Sequence, residues 1–215
     1  VTASHNPREY NGYKAYNSEG SQIMDETANK ILSYIGDHTD FFEIPRMDFE
    51  EGLKDGMIEY VPEEVIEKYI SLIKDCTIND EGIDKDICVV YSPLNGTGNK
   101  LVRRILKERG FTNIHVVKEQ ENPDPDFTTV GYPNPEDPKA FKYSEKLGKE
   151  VDADLLLATD PDADRCAVEV KNEDGEYQFL TGNLIGTLLT QYILSGLKEN
   201  GELPENPAVV KSIVT

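Results

Sequence analysis

Leu155-Leu156-Leu157-Ala158-Thr159-Asp160-Pro161-Asp162-Ala163-Asp164-Arg165 is the stretch on which the reading of this chain turns. A short apolar run gives way to three carboxylates at alternate positions and then a guanidinium. A strand that ends in a ligand-bearing loop is the arrangement of open α/β sheets, whose sites lie beyond the carboxyl ends of their strands. Carboxylate oxygens suit hard cations such as Mg²⁺, which keep open positions for phosphate or water. Arg165 adds a planar fork matched to phosphate. Like charges packed this closely repel, so the loop either binds a cation or stays splayed in water as an acidic turn. An EF-hand requires Gly at loop position six and Glu at twelve. Counted from Asp160, those places hold Arg165 and Lys171, which excludes it.

Outward from this loop the pattern alternates. Ile87–Tyr91, Ile114–Val117 and Asp154–Ala158 read as strands, separated by helices over Thr97–Arg109 and from Asn134-Pro135-Glu136 to Lys149. Such alternation predicts a parallel sheet with right-handed crossovers. Beyond the acidic loop, Cys166–Val170 and Tyr177–Leu180 flank Asn172-Glu173-Asp174-Gly175, a hairpin signal that adds an antiparallel edge. Thr181-Gly182-Asn183 caps a long apolar helix through Leu197, and Val209–Val214 reads as the first strand of a further domain.

Toward the N-terminus, a hairpin-like stretch from Tyr10 to Ile23 precedes an amphipathic helix over Asp25–Ile35, stopped by Gly36. Its apolar face is Ala28, Ile31, Leu32 and Ile35. Residues 37–60 read as a connector. A helix starting at Pro62 carries the stripe Val65, Ile66, Tyr69, Ile70 and Ile73. One helix and a little strand cannot close a core, so residues 1–58 read as the end of a domain, 59–205 as a complete one and 206–215 as the beginning of a third. The expected fold is a three-layer α/β/α arrangement with a mixed, mostly parallel sheet, one complete domain plus partial neighbouring domains.

A formal net charge of −19 argues against nucleic acid as a partner and requires any phosphate site to be a local cluster of cations, metal and backbone N–H groups. No apolar run approaches membrane-spanning length. The three cysteines, Cys76, Cys88 and Cys166, have no metal-ligand spacing and fit reduced thiols in a cytoplasmic protein, with Cys88 and Cys166 as small core residues.

A second constellation is Thr2-Ala3-Ser4-His5-Asn6-Pro7, continued by Asn11-Gly12-Tyr13-Lys14. Ser4 could carry phosphate, with His5 and Lys14 supplying proton transfer and charge. The same residues are also ordinary turn formers, and neighbours on an extended strand point to opposite sides.

Taken with Asp160–Arg165 and Pro93-Leu94-Asn95-Gly96-Thr97-Gly98, this segment closely resembles the α-D-phosphohexomutases, in particular their bacterial phosphoglucomutase and phosphoglucomutase/phosphopentomutase branch. The resemblance covers essentially the whole chain. It implies that Ser4 carries the phosphoryl group and that Asp160, Asp162 and Asp164 hold Mg²⁺, with a phosphoserine oxygen of Ser4 completing the set. It implies further that Arg165 contacts that phosphate, and that His5 and Lys14 serve proton transfer and positioning. The implied reaction interconverts glucose 1-phosphate and glucose 6-phosphate through glucose 1,6-bisphosphate, with a phosphorylated hexose as substrate. Family members place four domains around one cleft. The loops for sugar recognition and for the distal phosphate belong to the third and fourth, and an early arginine of the first is absent here. A fragment with negligible activity alone is therefore expected.

Within the family, phosphomannomutase or phosphopentomutase activity stays open. A non-catalytic metal- or phosphate-binding module is the alternative of another class, since fold does not fix chemistry. A phosphatase using Asp160 as nucleophile would leave the serine motif unexplained.

Overall fold

The computed structural model describes residues 1–35, 40 and 42–211. The chain separates into two compact units, one of Val1 with Tyr13–Tyr69 and one of Thr2–Gly12 with Ile70–Thr215. The Ser4 segment thus belongs to the same unit as the carboxylate loop, far from it in sequence.

That unit is built on a five-stranded sheet: β1 (Val89–Ser92), β2 (Ile114–Val116), β3 (Leu155–Thr159), β4 (Cys166–Lys171) and β5 (Tyr177–Leu180), in the order β2-β1-β3-β4-β5. β1 runs parallel to β2 and to β3, whereas β4 is antiparallel to both β3 and β5. Four of the five strands thus run the same way and β4 alone is reversed, so the sheet is mixed and mostly parallel, as expected. Short connections explain the reversal, because the Asp160–Arg165 loop and the Asn172–Gly175 turn can join only antiparallel neighbours. Helices α4 (Gly98–Glu108), α5 (Lys142–Val151) and α6 (Gly182–Glu199) complete the unit, and α3 (Glu63–Asp75) crosses its boundary.

The core gathers Val90, Leu94, Val117, Phe141, Leu156, Ala158 and Ala167, with Phe179 packed edge-on against Phe141 at 5.8 Å between ring centroids. Helix α5 lies so close to the sheet that a Cβ on Gly148 would meet Leu156 Cδ2 at 2.7 Å. All four residues of β1 are buried, the mark of a central strand covered on both faces.

Several sequence expectations change. The helix expected from Asn134 begins only at Lys142, because Pro135 and Pro138 withhold backbone donors and leave a turn followed by a 3₁₀ segment over Pro138–Phe141. The connector contains a short helix, α2 (Phe49–Lys54), started by the Asp48 side chain accepting from the N–H groups of Glu50 and Glu51. Helix α1 spans Asp25–Ile35 as expected, yet Ile31, Leu32 and Ile35 of its apolar face are exposed. No sheet strand among the described residues belongs to its unit. In α3 only Ile70 of the expected stripe is buried. Cys88 is buried but Cys166 is exposed, since strand alternation turns Ala167 and Glu169 inward instead. Val209–Lys211 form no strand, and Ser212–Thr215 and Gly36 lie outside the described residues. No helix of the described residues is long and apolar enough to cross a membrane.

Candidate functional site

Strand β3 delivers Asp160 to the site directly after Thr159. The Thr159 hydroxyl pairs with Tyr91 Oη at 2.9 Å in the sheet interior, and burial pushes the Tyr91 phenol up to about 12, so it stays protonated. Asp160 is itself fully buried. Its Oδ1 accepts from the Arg165 N–H at 3.0 Å, which folds the loop back on its own first residue. Ala163 adopts φ 59°, a conformation that lets the chain reverse within the loop. One carboxylate oxygen from each of Asp160, Asp162 and Asp164 lies within 4.8 Å of the others. Burial first, and the Asp162 carboxylate second, push the Asp160 carboxyl up to about 6.

A second turn holds this loop in place. Thr97 donates to Pro161 O through both its N–H, at 2.9 Å, and its hydroxyl, at 3.1 Å. The chains approach so closely that a Cβ on Gly96 would stand 2.5 Å from Pro161 Cα. Leu94 and Asn95 are both left-handed, at φ 46° and 62°, and Asn95 N–H is fixed by Gln120 O at 2.8 Å. Gln120 is fully buried and its Oε1 accepts from Ser92 Oγ at 2.7 Å. Sequence reading assigned Gln120 no role; a lone glutamine beyond a strand carries no signal until the turn it supports is known.

The Ser4 segment completes the site. Ser4 Oγ donates to Asp160 Oδ2 at 3.0 Å, and His5 Nδ1 lies 3.3 Å from the same hydroxyl. A hydroxyl has one proton. With that proton directed to Asp160, Ser4 Oγ accepts from His5, which places a hydrogen on Nδ1. Ser4 is left-handed, at φ 54°, unusual for a residue with a Cβ and common where function dictates geometry. Beside it a cavity of about 200 Å³ is lined by Ser4, Asn6, Arg8, Pro125, Phe127 and Pro161, among others. Arg8 pairs with Asp126 at 2.7 Å, both exposed. Arg165 is turned toward Glu136, Nη1 to Oε1 at 2.8 Å. The structure thus brings Ser4, His5, Asp160, Asp162, Asp164 and Arg165 into one unit, while Lys14 lies in the other.

The donor set fits a hard divalent cation. All the available atoms are oxygens, as Mg²⁺ prefers, and a buried carboxylate beside a second one is costly without positive charge. Ser4 Oγ is hydrogen-bonded to one of these carboxylates, Asp160.

Comparison with known proteins gives the chain a family. Residues 67–175 match the family model described as phosphoglucomutase/phosphomannomutase, alpha/beta/alpha domain II, and residues 1–40 match that of domain I. The chain is 37% identical over 215 residues to a phosphoglucomutase of Staphylococcus saprophyticus, and 37% identical over 219 residues to one of Staphylococcus epidermidis. In both alignments all of this chain is covered but only 38% of the relative, so the chain spans little more than a third of their length. A solved phosphoglucomutase/phosphomannomutase family protein from Burkholderia thailandensis shares the fold, with a TM-score of 0.59 at 22% identity over 93% of this chain and 37% of that one. With the domain II model alone matching half of the sequence, and the serine and carboxylate motifs meeting in space, this chain belongs to the phosphoglucomutase/phosphomannomutase family.

Proposed function

We propose that this chain supplies the phosphoserine and metal-binding parts of a phosphoglucomutase that interconverts glucose 1-phosphate and glucose 6-phosphate. The observation that carries the reading is the 3.0 Å hydrogen bond from Ser4 Oγ to Asp160 Oδ2, which joins two motifs 156 residues apart. In this reading, residues 1–58 end the first domain, 59–205 form the second and 206–215 begin the third.

Ser4 carries the phosphoryl group. Its P–O bond breaks as the free sugar hydroxyl forms one, giving glucose 1,6-bisphosphate. The bisphosphate then returns its other phosphate to Ser4. His5 and Lys14 take up the proton of the attacking hydroxyl and deliver one to Ser4 Oγ as its P–O bond breaks. Asp160, Asp162 and Asp164 would hold Mg²⁺, which when bound neutralises phosphate charge. Arg165 adds a forked donor to the phosphate oxygens. Phosphoryl transfer depends on positioning and charge neutralisation more than on covalent chemistry, and these residues supply both in a protein that is otherwise strongly acidic.

Incubation with glucose 1,6-bisphosphate and Mg²⁺, read by intact mass, tests this. One added phosphate that maps to Ser4 and disappears in Ser4→Ala is expected. Labelling that survives Ser4→Ala but is lost in Asp160→Asn would assign the nucleophile to the carboxylate loop and overturn the reading.

A further inference from the structure

Between the Ser4 segment and the carboxylate loop lies a stretch without helix or strand, Tyr132-Pro133-Asn134-Pro135-Glu136. Pro133 and Pro135 are both fully buried, and their rings fix φ, so the three residues around them have little backbone freedom. Asn134 links the other two. Its Nδ2 donates to Tyr132 Oη at 3.3 Å, and its Oδ1 accepts from Glu136 N–H at 3.0 Å. Each end of this brace touches a different half of the site. The Tyr132 ring stands edge-on to His5, 6.0 Å between centroids at 63°, and Glu136 holds the Arg165 guanidinium.

We propose that Tyr132, Asn134 and Glu136 form a positioning brace for the phosphoryl-transfer site. Tyr132 sets the imidazole so that Nδ1 faces Ser4 Oγ, and Glu136 holds Arg165 through one nitrogen, leaving its remaining donors for an anion. An imidazole on a loop residue has two soft torsions, and an aromatic neighbour in edge contact restricts both. A guanidinium has five donors, so a single carboxylate contact orients it without using up its fork. The proline rings anchor the brace to the body of the domain, which is what allows a segment lacking regular structure to hold two reactive groups in register.

This inference rests on the reading of Ser4 as phosphate carrier, and two readouts separate the two, the first on the 215-residue chain and the second on the phosphoglucomutase of which this chain is proposed to be a part. The first is NMR of the His5 ring protons and the Arg165 Nε–Hε group. Tyr132→Ala is expected to abolish the ring-current displacement of the His5 signals and Tyr132→Phe to retain it, while Glu136→Gln shifts the Arg165 signal and leaves His5 in place. The second is the rate of Ser4 labelling by glucose 1,6-bisphosphate. A roughly tenfold loss is expected in Tyr132→Ala, with Tyr132→Phe close to wild type. Asn134→Ala, which keeps both contact residues, should weaken both signatures together and serves if Tyr132→Ala does not fold. Unchanged His5 signals in a folded Tyr132→Ala protein, or wild-type labelling by it, overturn the brace. Absence of labelling in the wild type overturns the phosphate-carrier reading instead, and the NMR signals then decide the brace alone.

Discussion

Asp160 and Glu169 are both buried carboxylates of the same sheet, and they have opposite surroundings. Burial pushes both up, Asp160 to about 6 and Glu169 to about 7, with a neighbouring carboxylate as a further cause in each case, Asp162 for the first and Glu145 for the second. Asp160 stands at the end of β3, where a hydroxyl, a backbone N–H and two more carboxylates converge on it. Glu169 sits inside β4, opposite Leu156 on one side and Phe179 on the other, so it shares the apolar face on which α5 packs. Its Oε2 has no hydrogen-bond partner among the described residues. A raised carboxyl therefore marks burial in both places. Convergent donors and acceptors mark a site in only one.

The largest expected effect separates the two by cation. Mg²⁺ that binds the folded chain at one hundred times its dissociation constant stabilises it by about 2.7 kcal/mol. Thermal unfolding with and without Mg²⁺ should show this gain in the wild type and in Glu169→Gln, and lose it in Asp162→Asn. A gain that persists in Asp162→Asn would place the cation elsewhere.

Next comes pH. A carboxyl raised in the folded state binds its proton more tightly there than in the unfolded chain, so its contribution is fully present below about 4.5 and is lost as pH rises through about 7. By pH 8 the loss should amount to roughly 3 kcal/mol, most of it falling between pH 5 and pH 8. Denaturant unfolding at pH 5 and pH 8 is expected to show that slope in the wild type and a flatter one in Glu169→Gln. An identical slope in both would show that the carboxyl is relieved by water or a partner.

The contrast also separates what a sequence displays from what it conceals. Asp160–Arg165 was legible because three carboxylates at alternate positions are costly without a purpose, and the β3–loop–β4 order follows from the apolar run before it. For Ser4 the residues left a phosphate carrier and an ordinary turn both open, and family likeness chose between them, since its own neighbours are common turn residues. The left-handed conformations of Ser4, Leu94 and Ala163 could not be read, because nothing in a serine, leucine or alanine announces them. The brace was missed for a related reason: Asn134 and Pro135 read as a helix start, and only the buried prolines show that the backbone is committed to a turn. Glu169 was hidden in a strand-like run, where its neighbours Val168 and Val170 dominate the pattern. The exposed faces of α1 and α3 fail differently, since periodicity tells which face seeks burial but not whether a neighbour supplies it.

Two glycines sharpen the comparison at its smallest scale. At Gly96 an added Cβ would meet Pro161 Cα at 2.5 Å and Pro161 O at 2.6 Å, backbone atoms that can yield only if the carboxylate loop moves. At Gly148 the atoms met are Tyr177 Oη at 2.6 Å and Leu156 Cδ2 at 2.7 Å, the far ends of side chains on the face that carries Glu169. Overpacking of this kind costs about 1–3 kcal/mol, and in mid-helix at Gly148 alanine recovers up to about 1 kcal/mol of that through propensity. Gly148→Ala should therefore lose at most about 2 kcal/mol in denaturant unfolding while keeping the full Mg²⁺ gain. Gly96→Ala should lose about 1–2 kcal/mol and part of the Mg²⁺ gain with it, because the displaced backbone lies between Asp160 and Asp162. A Gly96→Ala protein that binds Mg²⁺ as the wild type does would show that the carboxylate loop holds its geometry without the turn beneath it.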